Sequence, residues 1–164
     1  MQQNVDGSDF FNRSWAKFKV GFGNSTGNYW IGNDLLHQLT NSHRRKVTFN
    51  VQTVDGRRFY AQYSTFNVSS EADNYAMTVY GYSGNAGDAF SYNNHSMFST
   101  YDRDNDEYVN NCAAYNGGGF WYKSCALANV NNARRHGDDF NWVATSPAHD
   151  DFPYLKSTVM WLTC

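Results

Sequence analysis

The chain has 164 residues, and its formal net charge at pH 7 is −2. Because nucleic-acid and anionic-membrane partners favour basic patches, this charge argues against both classes of partner. Mean hydropathy is −0.69, and the chain contains no run of about 18 apolar residues, so no membrane-spanning segment is predicted. The length suits one domain with a sizeable core, and we expect residues 1–164 to form it.

Two helices are predicted near the start of the chain. Aromatic residues recur at helical spacing within Asp9–Val20, where Ser8 can serve as the N-cap and Gly21 supplies a stop. The stripe, which we assign to core packing, consists of Phe11, Trp15, Phe18 and Phe22. A second, shorter helix is predicted to be capped by Asn33 and to end near Thr40.

The middle of the chain changes to a strand period. Apolar and polar residues alternate from Val47 to Val51, and Asp55-Gly56 is a strong hairpin-turn signal before Arg57–Tyr63. A third strand is predicted at Tyr75–Tyr82, and Ser157–Leu162 is a candidate for a strand that returns to the sheet. The expected fold is α+β, with a central antiparallel sheet and short peripheral helices.

Regular patterns fade from residue 83 onward, where glycine, asparagine, serine and aspartate dominate. We therefore divide the predicted domain into a helix-and-sheet part, residues 1–82, and an irregular part, residues 83–164. A long irregular region in a compact domain needs additional stabilising links or carries function. The candidate stabilising links are a metal site and a disulfide.

The cysteines and the glycosylation motifs favour secretion. Cys112 and Cys125 would close a loop of about thirteen residues, which stabilises by about 3 kcal/mol in the chain-entropy model. This pairing leaves Cys164 either to join another chain or to remain a loose terminal thiol. A reduced intracellular protein with three thiols is the alternative. Motifs of the form Asn-x-Ser/Thr, which weigh against that alternative, begin at Asn12, Asn24, Asn67 and Asn94.

The N-terminal segment Met1–Asn4 lacks the apolar core of a signal peptide. A secreted protein without such a segment is expected to be part of a longer precursor.

Closely spaced acids precede the cysteine loop. The spacing of Asp104 and Asp106 lets a curled turn direct both carboxylates at one ion, and carbonyls of Tyr108 and Asn110 could complete an oxygen shell for Ca²⁺. A solvated acidic turn explains this segment equally well on its own. Zinc is less favoured, because the histidines and cysteines show no paired ligand spacing.

An EF-hand does not fit this segment. Glu107 stands where that loop requires glycine, and Ala113 stands where it requires glutamate.

Catalysis is not expected. The sequence contains no G-x-S-x-G elbow, no H-E-x-x-H zinc motif and no phosphate-binding glycine loop. His136 beside Asp138-Asp139 resembles an ordinary surface-loop histidine, because no nucleophile accompanies it.

Ordered matches through nearly the whole chain resemble the fibrinogen-related domain of fibrinogen, ficolins, tachylectins, tenascins and angiopoietins. The matching segments are 5–15 (VDGSDFFNRSW), 21–24 (GFGN), 29–34 (YWIGND), 37–40 (HQLT), 102–106 (DRDND), 111–113 (NCA) and 121–125 (WYKSC). The resemblance implies Ca²⁺ bound by the Asp104 and Asp106 side chains and by the carbonyls of Tyr108 and Asn110. It also implies a Cys112–Cys125 disulfide, and in many members a cis peptide before the second cysteine, here Ser124-Cys125.

The resemblance further implies a ligand pocket in the irregular part. Its expected lining residues are Asn116, Trp121, Tyr122, Ala126, His136 and Gly137, with Tyr115 near the rim. At four of these positions the chain departs from acetyl-binding members: Asn116 replaces a tyrosine, Ala126 a histidine, and His136-Gly137 a Tyr-Ala pair.

The leading functional expectation is a secreted, calcium-dependent, lectin-like module that binds glycans or acetylated groups on microbial or cell surfaces in innate immunity. The alternative is a non-enzymatic domain that binds an extracellular protein or receptor in adhesion or signalling. Family domains normally carry an earlier subdomain, and Met1-Gln2-Gln3 matches the strand that follows it. A homo-oligomer through Cys164 or through such flanking segments is a further expectation.

Overall fold

The computed structural model describes residues 1–132, 141–142 and 155–164. Its helices are α1 (Trp15–Val20), α2 (Asn33–Ser42) and α3 (Cys112–Asn116), with short 3-10 turns at Asp9–Phe11, Glu71–Asp73 and Phe90–Asn93. Its strands are β1 (Gln2–Asn4), β2 (Phe22–Gly23), β3 (Tyr29–Trp30), β4 (Arg45–Thr53), β5 (Arg58–Val68), β6 (Met77–Gly84), β7 (Phe98–Ser99), β8 (Phe120–Trp121), β9 (Ala128–Asn129), β10 (Asn141–Trp142) and β11 (Leu155–Thr163). None of the helices in these described ranges is long and apolar enough to cross a membrane.

The central element is a seven-stranded sheet in the order β2-β3-β1-β11-β4-β5-β6, in which neighbouring strands are antiparallel. The predicted antiparallel sheet is therefore confirmed. The hairpin between β4 and β5 turns at Asp55-Gly56, where Gly56 has φ +90°. The returning strand is also confirmed, because β11 inserts between β1 and β4 and pairs Met160 with both Gln2 and Phe49.

The predicted first helix, Asp9–Val20, is wrong in extent. The structure has a 3-10 turn at Asp9–Phe11 and resumes as α1 only at Trp15. The chain breaks between them because Arg13 N donates to Phe11 O (2.9 Å) and Ser14 is extended. The expected core role of the aromatic stripe is nevertheless correct, since Phe11 and Phe18 are fully buried.

Smaller shifts occur at the ends of two other elements. Helix α2 begins at Asn33 with Gly32 as its N-cap (φ +105°), and it continues to Ser42. The third predicted strand starts at Met77 rather than Tyr75, because Asn74 and Tyr75 both have positive φ angles and form a turn.

The core lies between the sheet and the irregular part of the chain. Trp121 on β8 contacts Phe66 of the sheet and Phe98 on the paired strand β7, with ring centroids 5.8 and 5.2 Å apart. Its indole N–H donates to Tyr75 O (2.8 Å). Aromatic side chains bury large areas in such contacts. The irregular part therefore packs on the sheet through aromatic rings that it contributes itself.

Candidate functional site

The acidic turn is organised around Asp106. One of its carboxylate oxygens accepts from Tyr108 N and the other from Cys112 N, both at 2.9 Å. The backbone N–H of Asp106 donates to the carboxylate of Asp104 (3.3 Å). Carboxylate-to-backbone bonds of this kind curl the chain into a tight turn, which brings the two carboxylates next to each other.

The electrostatics of this turn favour a cation. Burial raises the pKa of Asp106, two backbone N–H groups oppose that rise, and the negative charge of Asp104 adds to it. A divalent cation relieves the repulsion between two neighbouring carboxylates by neutralising their charge. Calcium prefers carboxylate oxygens mixed with backbone carbonyls. The donor set of Asp104, Asp106 and the carbonyls of Tyr108 and Asn110 therefore fits calcium.

The fit depends on those carbonyls. Within residues 1–132, 141–142 and 155–164, no three His, Cys, Asp or Glu side chains converge on one point. A cation at this turn would thus be held by two carboxylates and backbone oxygens, which suits calcium better than zinc.

The two residues before the acidic pair attach the turn to the rest of the fold. Asp102 accepts a hydrogen bond from Trp15 N (2.9 Å) and so caps α1 from a distant part of the sequence. Arg103 stacks on the Trp15 indole, with its guanidinium carbon 4.0 Å from the ring centroid, and donates to Asn74 Oδ1 (2.6 Å). The sequence analysis did not predict this capping role of Asp102.

The cysteine loop confirms the expected Cys112–Cys125 disulfide, whose Cα atoms are 5.5 Å apart. Cys112 begins α3, which Asn111 caps by accepting from Ala114 N (2.8 Å) and which Gly117 ends in a left-handed conformation. Glu107 N donates to Lys123 O (2.9 Å), so a backbone bond joins the acidic turn directly to the far side of this loop.

The cis peptide expected at Ser124-Cys125 is not found. No peptide bond in the described part of the chain is cis. Here Lys123 N donates to Cys125 O (2.7 Å), which closes a tight turn across a trans Ser124-Cys125 bond. A trans bond is also the form that non-proline residues favour by about 3–4 kcal/mol.

An open cavity of about 540 Å³ lies between the acidic turn and the disulfide. Its described lining residues are Tyr108, Asn110, Tyr115, Ser124 and Cys125. Two of them, Tyr108 and Asn110, are also expected to give carbonyls to calcium. Tyr115, which we expected near the rim, is 62% exposed.

The pocket prediction needs correction at its aromatic residues. Trp121 and Tyr122 are fully buried, and neither is among the described residues that line the cavity. Asn116 is buried as well, and Ala126 is half-buried against the core. The physical reason is that Trp121 packs against Phe66 of the sheet, while the Tyr122 hydroxyl is held by Gly118 O and Asn129 Nδ2. His136 and Gly137 lie outside the described residues.

The glycine-rich segment between the cysteines is required by packing. A Cβ atom at Gly118 would come within 2.2 Å of Asn131 O, and one at Gly119 within 2.5 Å of the Phe18 ring. The Tyr122 hydroxyl donates to Gly118 O (2.7 Å) and accepts from Asn129 Nδ2 (2.6 Å). Sequence reasoning missed this buried amide network, although the asparagine-rich run at 129–132 was a visible signal.

The family model of the C-terminal globular domain of fibrinogen beta and gamma chains matches residues 1–163. Fibrinogen-like protein A of Apostichopus parvimensis is 41% identical over 133 residues, which cover 79% of this chain and 47% of that protein. The chain thus spans about half the length of this curated relative.

Two solved structures have the same fold. The fibrinogen-like globe domain of human ANGPTL2 superposes with a TM-score of 0.86 at 34% identity, covering 99% of this chain and 77% of that one. The lamprey fibrin D-dimer, complexed with the peptide ligand Gly-His-Arg-Pro-amide, gives 0.87 at 30% identity and covers 99% and 59%. A match that runs from the first residue through the disulfide to the last strand leaves one conclusion: this chain belongs to the family of fibrinogen C-terminal globular domains.

Proposed function

We propose that this chain is a secreted, non-enzymatic recognition module that binds a short segment of an extracellular protein in the cavity beside the acidic turn. The observation that carries the proposal is that Tyr108 and Asn110 line the cavity. The same two residues are the ones whose backbone oxygens are expected to bind a calcium ion. Calcium would then hold one wall of the binding site in place.

The cavity suits a peptide. Its volume of about 540 Å³ lies within the usual range for ligand sites. Tyrosine is enriched at protein interfaces because its ring is apolar and its hydroxyl forms hydrogen bonds. The lining includes Tyr108 and Tyr115, and no charged side chain is among its described members. The lamprey relative, which holds a four-residue peptide, supports the same class of ligand.

Binding of glycans or acetylated groups is the second candidate. Exposed tyrosine rings at Tyr108 and Tyr115 would suit the apolar face of a sugar. The burial of Trp121 and Tyr122 removes two of the aromatic contacts that this function was expected to use. A protein segment is therefore the better supported ligand, in an adhesion or signalling role.

The calcium ion supplies charge neutralisation when bound, and the other contributions come from this chain. Glu107 N and Lys123 O keep the turn beside the loop, and the disulfide fixes Cys125 at the cavity edge. The hydroxyl of Tyr92 donates to Ser124 O (3.2 Å) and supports the opposite wall. These contacts preorganise the site, which lowers the entropic cost of binding.

The test is a selection from a displayed library of short peptides, with calcium present, alongside a glycan array. We expect enriched peptides that lose about tenfold or more in affinity with Tyr115→Ala, since exposed anchor residues at interfaces contribute about 1–2 kcal/mol. Chelation of calcium is expected to weaken binding as well.

Tyr80→Ala is the matched control, because Tyr80 is a similarly exposed tyrosine on β6, away from the cavity. Binding only to glycans or acetylated sugars would favour the second candidate. Peptide binding that survives Tyr115→Ala unchanged would place the site elsewhere and contradict the proposal.

A further inference from the structure

The acceptor motifs for N-linked glycosylation differ sharply in their surroundings. Of the four, only Asn24-Ser25-Thr26 has all of its residues exposed. In the motif that begins at Asn12, the final serine, Ser14, is half-buried. In the motif that begins at Asn94, the final serine, Ser96, is buried. Asn67 lies within β5, and the next residue, Val68, is buried.

The Asn24 motif forms the turn between β2 and β3. Asn24 Oδ1 accepts hydrogen bonds from Thr26 N (3.1 Å) and from the Thr26 hydroxyl (2.6 Å). Gly27 N donates to Asn24 O (3.2 Å) and closes the turn. Every contact of the side chain therefore uses its oxygen, and within the described residues Asn24 Nδ2 donates to no protein group.

Asn67 presents the opposite arrangement. Its Nδ2 donates to Thr40 O (3.2 Å) and to Asn41 Oδ1 (3.0 Å), which ties β5 to the end of α2. A sugar on this nitrogen replaces one of its two hydrogens, so one of these bonds would be lost. The bulky sugar would also have to fit between a strand that is paired on both sides and a helix.

We propose that Asn24 is a site of N-linked glycosylation and that Asn67 remains unmodified. The Asn24 amide nitrogen forms a C–N bond to the anomeric carbon of an oligosaccharide carried on a lipid pyrophosphate. The C–O bond to the pyrophosphate breaks, the lipid pyrophosphate leaves with the bonding electrons, and the amide nitrogen loses one proton. This inference rests on the secretion that is part of the proposed function.

Peptide mapping of the protein secreted from eukaryotic cells tests the site directly, with a signal peptide appended for export. Enzymatic release of the glycans in heavy-oxygen water converts a glycosylated asparagine into labelled aspartate. We expect the label at Asn24 and none at Asn67. Absence of label at Asn24, or its presence at Asn67, would overturn the proposal.

Variants separate attachment from folding. Asn24→Gln and Thr26→Ala should each remove the glycan mass assigned to Asn24, whereas Thr26→Ser should retain it because serine keeps the acceptor hydroxyl. Asn67→Gln should leave the mass of the attached glycan unchanged. A Thr26→Ala protein that still carries label at Asn24 would contradict the assignment.

Failure of the glycosylation proposal can be distinguished from failure of the proposed peptide binding. Asn24 N donates to Asn28 O (3.3 Å), and neither Asn24 nor Asn28 is among the described residues that line the cavity. Asn24→Gln is therefore expected to bind selected peptides with unchanged affinity. In the unsubstituted protein, absence of label at Asn24 together with peptide binding counts against the glycan alone, and label at Asn24 without peptide binding counts against the pocket alone.

Discussion

The sheet half of the chain, residues 1–84, and the loop half, residues 85–132, are stabilised by different kinds of interaction. In the sheet half, β4 and β5 are long strands with backbone bonds on both sides, and β11 from the end of the chain completes the same ladder. In the loop half, β7 and β8 are only two residues long. Many backbone carbonyls there accept hydrogen bonds from side chains instead of from a neighbouring strand.

Asparagine side chains show this difference most directly. Asn93 Nδ2 donates to Trp121 O (2.6 Å), Asn105 Nδ2 to Phe98 O (2.8 Å) and Asn111 Nδ2 to Thr100 O (3.0 Å). Buried backbone oxygens need such partners wherever no strand supplies them. The loop half can therefore hold an irregular surface in place, because specific amides, a disulfide and an acidic turn replace regular strand pairing.

The largest expected effect is in the sheet half. Phe49→Ala should lower the free energy of unfolding by about 3–5 kcal/mol, because a buried ring leaves a cavity that its neighbours fill only in part. The ring of Phe49 packs 4.7 Å from Phe90 and 5.1 Å from Trp142. Denaturant unfolding measures the loss, and Tyr60→Ala on the exposed face of the next strand is the control. Equal losses in both variants would contradict this core assignment.

Removal of the disulfide should affect the loop half alone. Cys112→Ser with Cys125→Ser is expected to cost about 3 kcal/mol in the chain-entropy model. Hydrogen exchange should then become faster in residues 85–132, while β4 and β5 keep their protection. Cys164→Ser controls for the loss of a thiol, since Cys164 is exposed and unbridged. Faster exchange throughout the sheet would show that the two halves open together.

Calcium is expected to stabilise the loop half next most strongly. At one hundred times its dissociation constant, a ligand of the folded state adds about 2.7 kcal/mol of stability. Asp104→Ala should remove most of this gain, because it deletes one of the two carboxylates. Thermal unfolding with and without calcium provides the measurement.

Asp102→Ala is the matched control for the calcium experiment. It should cost about 1 kcal/mol through loss of the α1 cap, yet keep the response to calcium. If the two variants respond alike to calcium, the ion does not bind at the predicted ligands.

The smallest expected effect is the pH dependence of stability that Glu71 gives to the sheet half. Hydrogen bonds from Lys19 and from the Trp15 indole hold the pKa of Glu71 below its usual value. A lowered carboxyl pKa contributes stability at pH values above the unfolded pKa, and that stability disappears as the pH falls through the folded pKa. Because both side chains are partly exposed, the contribution should be under about 1 kcal/mol.

Glu71→Gln should therefore reduce the difference between the free energies of unfolding at neutral and at acidic pH. Denaturant midpoints measured across the acid range test this expectation. A variant with the same acid dependence as the parent chain would show that Glu71 does not contribute.

Local patterns predicted the sheet and the disulfide well. The strand periods, the Asp55-Gly56 turn and the Cys112–Cys125 spacing depend on residues close together in the sequence, and all three are confirmed. The acidic turn has the curled geometry expected from its spacing, and calcium binding at Asp104 and Asp106 stays a prediction.

Two of the failures involve partners that are distant in the sequence. The break in the first helix accompanies a cap that comes from Asp102, far along the chain. Trp121 and Tyr122 belong to a segment with no regular pattern, and nothing nearby in the sequence shows that both are buried.

The sequence by itself determined the family, the order of strands along the chain and the residues available for a calcium turn. Only the tertiary structure decided which aromatic rings reach solvent at the cavity, which glycines are fixed by close packing and which asparagines remain free to carry a sugar. The physical reason is that strand period and turn chemistry are short-range properties. Burial and hydrogen-bond satisfaction, in contrast, depend on which distant residues the completed fold brings into contact.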